Sequence, residues 1–358
     1  MNAIDKTATA TPAETSPAAA APAKSASAYL LSRTRWRWYE YAFWGLAAAS
    51  FFIFPQKLML ISEIFILGLL ALSIDLTLGF AGLVTLGQGA FFGVGAYAAG
   101  LMAKHGAGVA PLSDPLIGLV VAAAAAGLLG FVTSFLVLRG SDLTRLMVTL
   151  GVALIVEEMV NQLKDITGGT DGLQGVMSSQ LFGVWSFDLY GRTAFWYALI
   201  ITFLCFWFAR RLVNSPYGLS LLAIKGNPLR ARTIGMPVNA RLVVIYTVAA
   251  AIAGISGGLL TQTTQFASPD MVAFHRSADS LLILIFGGAG YLYGGLIGAV
   301  AFRVMQDYLG NITPQYWLFW VGMVLVLLVL FVRNGIIGLM ISGWKKAGGA
   351  TDEQPGAR

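Results

Sequence analysis

Long apolar runs recur along the chain, and they constrain its fold more than any other feature. A transmembrane helix needs about 20 consecutive apolar residues, and only 11% of the residues are charged, against about 25% in soluble domains. These features predict an all-α polytopic membrane protein. The runs lie near residues 39–54, 58–78, 116–138, 146–163, 193–209, 242–260, 280–300 and 316–332.

Glycine clusters interrupt two parts of this pattern. Residues 79–100 contain seven glycines, and residues 287–298 read G-G-A-G-Y-L-Y-G-G-L-I-G. Glycine destabilises a helix, and irregular backbone at membrane depth must be buried in protein or line a cavity. Two interpretations stay open: a broken helix beside a solute pathway, or a closely packed helix pair without that role. The candidate pathway residues are Gly87, Gln88, Gly89, Gly93, Gly95, Gly287, Gly288 and Gly290.

The second cluster follows residues 281–286, an apolar stretch too short to cross about 30 Å of hydrocarbon. We therefore expect a hairpin of two partial or tilted helices there. Counting each glycine-interrupted segment as a pair of elements gives about ten transmembrane helices or half-helices. They would form two loosely repeated halves, each with a span, a broken pair and a span.

A polar segment between two apolar runs, residues 210–241, carries six cations and no anion. We call this segment the island. Asn227 as N-cap with Pro at the first helical position, and a Gly and a Pro at the end, predict a short helix over residues 228–234. Composition alone would favour an ordinary basic loop, but signals at both ends favour a docking helix for a cytosolic partner. The residues assigned to it are Asn227, Pro228, Leu229, Arg230, Arg232, Ile234 and Gly235.

The distribution of cations predicts the orientation. Seventeen of the 23 Lys and Arg residues fall in residues 1–38, the 139–145 turn, the island and the segment from Arg333 to the end, so these segments are expected to be cytoplasmic. Loops 164–192 and 261–278 are then periplasmic. We expect a disordered N-terminal tail over residues 1–38, a membrane domain over 39–335 and a C-terminal tail over 336–358. No apolar core marks a signal peptide near the start.

We single out five ionisable residues inside or at the ends of the spans, where charge is costly and suggests a role. Arg303 and Asp307 stand four residues apart, which predicts an ion pair on one helix face. The adjacent Glu157 and Glu158 cannot share a face, and structural roles are favoured for them over solute contact. Asp75 lies near the inner end of the second span. Gln88 could donate or accept hydrogen bonds along a pathway.

The sequence carries no pattern for catalysis. It contains no G-x-x-x-x-G-K-[ST] motif, so the chain cannot cradle ATP phosphates by that device. Cys205 is the only cysteine, and the two histidines stand alone. We therefore expect no enzymatic activity, no cofactor and no metal site. Cations on one face of a membrane explain the net charge of +6 better than nucleic-acid binding does.

Four motifs, in order over about residues 58–335, resemble the inner-membrane permease subunits of bacterial branched-chain amino acid ABC importers. They are the glycine run at 79–100, T-G-G-T-D-G at 167–172, the island, and S-A-D-S-L-L-I-L-I-F-G-G-A-G-Y-L-Y-G-G-L-I-G-A from residue 277. The resemblance implies a second homologous permease, two cytosolic ATP-binding subunits and a periplasmic binding protein. It places the ATPase-coupling helix at residues 226–236. The family also carries urea, other amides and acids.

Two other classes of function remain open. Broken helices and intramembrane carboxylates also suit a secondary transporter driven by an ion gradient. A passive channel would leave the island without a purpose. Uptake driven by an ion gradient without nucleotide would favour the secondary transporter over the ABC permease.

Overall fold

A computed structural model describes residues 38–105, 114–176, 191–312, 315–331 and 335–339. Most of both predicted tails lies outside the described residues, which contain helices and no strand. The helices are α1 Trp38–Ile53, α2 Leu58–Ile74, α3 Gln88–His105, α4 Pro115–Val137, α5 Asp142–Gln162, α6 Lys164–Thr167, α7 Arg192–Val213, α8 Pro216–Gly226, α9 Pro228–Thr233, α10 Val238–Thr264, α11 Phe274–Gly287, α12 Gly294–Ile312 and α13 Trp317–Phe331.

The helices support the predicted membrane bundle. Four of the described helices are long and apolar enough to cross a bilayer: Leu58–Phe80, α4, α7 and α10. Helix α1 is apolar but shorter. Ten of the described helices have fourteen or more residues, which agrees with the predicted number of transmembrane helices or half-helices. The predicted repeat of two halves stays a prediction.

Helix α10 lies at the centre of the bundle and packs on α2, α3 and α4. Small residues allow the close approach, as is common between membrane helices. A Cβ on Gly95 of α3 would overlap the backbone of Gly254, and one on Gly257 would overlap the Phe92 carbonyl. The glycines of α3 therefore serve helix packing, and the helix is continuous through them.

The first predicted break is present but shorter than the glycine run. Helix α2 continues through a π-helical turn, Asp75–Phe80, and residues 81–87 are not helical. The Leu83 N–H donates to the Thr77 carbonyl at 2.8 Å and closes the end of the turn. Helix α3 then starts at Gln88. A break is therefore present and precedes a closely packed helix, while the pathway role of the run stays a prediction.

The second glycine cluster forms the predicted hairpin. Helices α11 and α12 pack on each other, and residues 288–293 form the turn between them. Gly288 and Gly290 have φ values of +109° and +89°, a region that glycine enters at little cost. We call residues 288–293 the hairpin turn. Helix α11 has 14 residues, about 21 Å at 1.5 Å per residue, which is shorter than a full crossing.

Hydrogen bonds and ion pairs define the two ends of the bundle. Arg210, late in α7, pairs with Glu40, early in α1, at 2.9 Å, at what we call the island end. At the opposite end, the far end, Gln262 late in α10 donates to the Pro115 carbonyl and accepts from the Tyr197 hydroxyl, both at 2.7 Å. The first turns of α4 and α7 therefore meet the last turn of α10.

The far end is covered by two segments that are bonded to each other. Leu173 and Ala267 exchange backbone hydrogen bonds at 2.8 and 3.3 Å. The loop expected over residues 261–278 is shorter than predicted: α10 extends to Thr264 and α11 begins at Phe274. Of the loop expected over 164–192, residues 177–190 lie outside the described residues.

Candidate functional site

Helix α9 has the boundaries that the sequence predicts. Asn227 Oδ1 accepts from the Arg230 N–H at 3.0 Å, and Pro228 occupies the first helical position. At the other end Gly235 has φ +81°. Its N–H donates to the Arg232 carbonyl and the Met236 N–H donates to the Ala231 carbonyl, the pair of bonds of a Schellman motif. Local signals therefore fix this short helix at both ends.

The side chains of α9 mostly face away from the bundle. Leu229 and Ile234 are 71% and 66% exposed, whereas Ala231 is 2% exposed and holds the helix against its neighbours. Arg230 and Arg232 are exposed as well. Two large aliphatic side chains beside two cations give this helix an uncovered amphipathic surface, which we call the α9 surface.

Helix α8, Pro216–Gly226, precedes α9 in the island and was not predicted from the sequence. Ser215 accepts from the Gly218 N–H at 3.4 Å, and Pro216 is at the first position. The same type of signal, a capping residue followed by Pro, was available in S-P-Y-G. Leu221 and Ile224 are buried in the main hydrophobic core, so α8 belongs to the packed bundle rather than to a loop.

The last turn of α8 contacts the end of α2. The Lys225 ammonium donates to the Gly79 carbonyl at 2.5 Å. Its aliphatic stem packs beside Gly82, where an added Cβ would lie 3.0 Å from Lys225 Cγ. Gly82 has φ +72°. A cation at the carbonyl end of a helix is favourable for both charge and hydrogen bonding.

The predicted intramembrane carboxylate Asp75 joins the two breaks. It is fully buried, and its Oδ1 accepts from the Gly290 N–H of the hairpin turn at 2.6 Å. Gly79 leaves no room for a side chain, since a Cβ there would overlap Asp75 Oδ1 and lie 2.7 Å from the Gly290 nitrogen. The island, the π-helical turn and the hairpin turn therefore meet at one place.

Gln88 is fully buried at the first residue of α3. Its Oε1 lies 3.5 Å from the Ser73 hydroxyl, and within the described part of the chain its Nε2 has no hydrogen-bond partner. The next N–H, of Gly89, donates to the Ser277 hydroxyl at 2.8 Å. A polar contact between α2, α3 and α11 therefore follows the first break, where the pathway was predicted.

The remaining candidate glycines lie at close backbone contacts. Gly87 faces Thr149 of α5, and Gly93 faces Val272 in the loop before α11. Gly287 packs on Gly294 across the hairpin turn. These contacts account for the small residues without requiring a pathway, so the pathway role of these glycines stays a prediction.

The predicted Arg303–Asp307 pair is wrong. Arg303 on α12 pairs with Glu63 on α2, and Asp307 pairs with Lys57 at 3.0 Å. Partners on a neighbouring helix compete with the i,i+4 partner because α12 packs along α2. Glu63 was missed, since nothing local in the sequence indicates that pairing.

Glu157 and Glu158 lie on α5 without a charged partner among the ion pairs of the described residues. Glu158 is exposed and accepts from Gln162 Nε2 at 2.7 Å. Glu157 is partly exposed. Neither is brought to Asp75 or to Gln88 by any contact in the described residues, so no joint site forms from the five predicted ionisable residues.

The six island cations lie in different surroundings. Arg210 is buried against Glu40, Arg211 lies 5.8 Å over the Trp207 ring and Lys225 binds Gly79. Arg230 and Arg232 are the cations on α9. The described residues contain no group of three His, Cys, Asp or Glu side chains that could hold a metal ion.

Comparisons with known proteins identify relatives of this chain. Residues 57–331 match the model of the family described as branched-chain amino acid transport system, permease component. The high-affinity branched-chain amino acid transport system permease protein LivM of Salmonella typhimurium is 30% identical over 309 residues, covering 80% of this chain and 71% of the relative. No solved structure matches the chain.

Two further relatives are named for different solutes. The probable branched-chain amino acid transport permease protein LivH of Methanocaldococcus jannaschii is 27% identical over 294 residues, covering 78% of this chain and 90% of the relative. The ribose import permease protein RbsC of Bacillus subtilis is 26% identical over 163 residues, covering 42% of this chain and 50% of the relative.

Proposed function

The chain belongs to the family of permease components of branched-chain amino acid transport systems, and from that premise we propose that it is the membrane permease subunit of an ABC importer for branched-chain amino acids. It forms part of the translocation pathway and takes no part in ATP chemistry. The ATP-binding subunits that drive it are separate chains.

The α9 surface is the observation that carries this proposal. Leu229 and Ile234 are large aliphatic side chains left exposed on a helix that is capped at both ends. A helix of six residues is not stable alone, so its preformed shape depends on the bundle behind it. Aliphatic groups flanked by arginines are typical of a docking contact, and we assign that contact to an ATP-binding subunit.

The remaining partners follow from the two ends of the bundle. The island end faces the cytosol, as the positive-inside rule indicates, and the termini lie on that side of a bacterial inner membrane. The far end, with its bonded segments at Leu173 and Ala267, receives a periplasmic binding protein. A second homologous permease completes the membrane part.

The test uses the whole importer, co-expressed and purified with its partner permease and ATP-binding subunits. We expect Arg230→Glu with Arg232→Glu to lower the amount of co-purifying ATP-binding subunit by about tenfold or more, because two charge-assisted contacts are reversed. ATP-driven uptake of labelled leucine into proteoliposomes should fall with it.

A matched control reverses two exposed cations at the far end, Lys104→Glu with Arg192→Glu. It should leave co-purification of the ATP-binding subunits unchanged. Full assembly and full ATP-driven uptake by the Arg230 and Arg232 variant would contradict the proposed docking contact.

Two measurements on the unaltered importer test the wider proposal. Leucine uptake should require ATP, and uptake driven by an ion gradient alone would contradict an ABC importer in favour of a secondary transporter. Labelled ribose should not be carried, and carriage of ribose instead of leucine would overturn the assigned solute class.

A further inference from the structure

Three structural elements meet at the end of α2: the last turn of α8, the π-helical turn Asp75–Phe80, and the hairpin turn. We propose that Lys225 and Asp75 are positioning residues that transmit movement of the island to the hairpin turn; this inference rests on the proposed function. We call these two residues, with Gly79 and Gly290, the relay.

The first step of the relay joins the island to α2. Among the described residues, the side chain of Lys225, like that of Arg210, forms a hydrogen bond to a helix or turn that precedes the island. Its ammonium is fixed at the Gly79 carbonyl, 146 residues away along the chain. Leu221 and Ile224 of α8 are buried. Because α8 is packed against the bundle in this way, we expect a shift of α8 to move Lys225 and the neighbouring side chains together.

The second step joins α2 to the hairpin turn. The Gly290 N–H lies in a half-buried, non-helical turn, and the fully buried Asp75 carboxylate is its hydrogen-bond acceptor. A backbone donor at membrane depth is stabilised by such an acceptor. Asp75 Oδ2 has no partner within the described part of the chain. The carboxylate therefore binds the hairpin turn through Oδ1. Its Oδ2 can accept a further hydrogen bond when the hairpin turn moves.

The two steps share one rigid point of contact. Gly79 accepts from Lys225 through its carbonyl, while the space beside its Cα is filled by the Asp75 carboxylate and the Gly290 nitrogen. A displacement of α8 therefore acts on Gly79 through the Lys225 bond, and Gly79 is packed directly against the Asp75 carboxylate and the Gly290 nitrogen. Close packing of this kind passes on small movements rather than absorbing them.

A purely structural role makes a different prediction from a relay. Residues that only stabilise the fold lower assembly, ATP hydrolysis and uptake together when they are replaced. Relay residues lower the number of solute molecules carried per ATP hydrolysed. The ratio of uptake to hydrolysis in one preparation therefore separates the two roles.

The experiment compares Lys225→Met and Asp75→Asn with the unaltered importer in proteoliposomes, measuring leucine uptake and ATP hydrolysis in each preparation. We expect the ratio of uptake to hydrolysis to fall by about tenfold in Lys225→Met, the equivalent of one hydrogen bond to a charged group. The fall should be smaller in Asp75→Asn, whose amide oxygen still accepts from the Gly290 N–H but without the charge. The double variant should be no worse than the poorer single variant, because both residues act in one relay.

Matched controls are Lys104→Met and Asp142→Asn, which replace exposed residues outside the relay and should keep the ratio unchanged. Lys225→Arg retains a cation and a hydrogen-bond donor, so its ratio of uptake to ATP hydrolysis should be close to that of the unaltered importer. The comparison of Lys225→Arg with Lys225→Met tests the relay even if Asp75→Asn does not fold.

The outcomes distinguish this inference from the function on which it rests. No ATP-driven uptake by the unaltered importer would overturn the proposed function and the relay with it. Normal uptake by the unaltered importer, with an unchanged ratio in Lys225→Met, would overturn the relay alone. A parallel loss of assembly, hydrolysis and uptake in Lys225→Met would assign it a structural role and also overturn the relay.

Discussion

The two helices of the island begin with the same kind of signal but differ in what they bury. Helix α8 starts at Ser215-Pro216 and places Leu221 and Ile224 in the core, whereas α9 starts at Asn227-Pro228 and buries Ala231. The large aliphatic side chains of α9 are exposed instead. One helix is therefore part of the bundle, and its neighbour offers a surface to another chain.

The largest expected effect compares a leucine from each helix. Leu221→Ala on α8 should lower the free energy of unfolding by about 2–5 kcal/mol, because it leaves a cavity in a packed core. Leu229→Ala on α9 should change it by about 0.5 kcal/mol or less, since that side chain is exposed. Thermal unfolding of the purified permease measures both. Equal destabilisation by the two variants would remove the distinction between the helices.

The affinity for the ATP-binding subunit should depend on the exposed aliphatic side chains of α9, which contribute little to the free energy of unfolding. Leu229→Ala with Ile234→Ala should weaken the affinity for the ATP-binding subunit by about 10- to 100-fold, as expected when central aliphatic contacts are removed. Leu204→Ala, an exposed side chain on α7, serves as the control and should leave that affinity unchanged. Titration of the ATP-binding subunit onto permease in nanodiscs gives the affinities. An unchanged affinity in the double variant would contradict the assignment of the α9 surface as the contact for the ATP-binding subunit.

The N-cap residues of α8 and α9 allow a further comparison of the two helices. Asn227→Ala should destabilise α9 by about 1 kcal/mol because it removes a 3.0 Å bond to the Arg230 N–H. Ser215→Ala should cost less, since its bond to the Gly218 N–H is 3.4 Å and packing holds α8 in place. Hydrogen exchange at the amides of residues 230 and 218 reports each effect. Faster exchange at residue 218 than at 230 would reverse the comparison.

The last prediction concerns the contact between the first turn of α8 and the end of the island. The Tyr217 hydroxyl donates to the Arg241 carbonyl at 2.6 Å, so Tyr217→Phe should cost about 0.5–1.5 kcal/mol. Burial raises the pKa of Tyr217 to about 12 from 10.0. The contribution is therefore fully present below pH 10 and is lost as pH rises through about 12. Unfolding at pH 6 and pH 9 should show the same difference, and a smaller difference at pH 9 would contradict this assignment.

The parts of the molecule that were predictable from sequence depend on neighbouring residues. Helix α9 could be predicted because Asn227, Pro228 and Gly235 specify its ends locally. The hairpin could be predicted because six apolar residues before a glycine cluster cannot cross a bilayer. Helix α8 carried a similar signal in Ser215-Pro216, but a basic segment between two spans suggested a loop with one helix.

The parts that were missed depend on which helices pack together. Arg303 has an acidic residue four positions away, yet it pairs with Glu63 because α12 packs on α2. The contact between Lys225 and Gly79 joins residues 146 positions apart. No local pattern encodes such contacts, so the sequence predicted the short docking helix but not the contacts behind it that form the relay.

The most direct test of the central claim replaces Leu229 with the photo-crosslinker p-benzoylphenylalanine in the full importer. The account predicts an ATP-dependent crosslink to an ATP-binding subunit, with no such crosslink from the same group at the position of Leu204. A crosslink from position 229 to lipid or to the periplasmic binding protein, with none to an ATP-binding subunit, would contradict it.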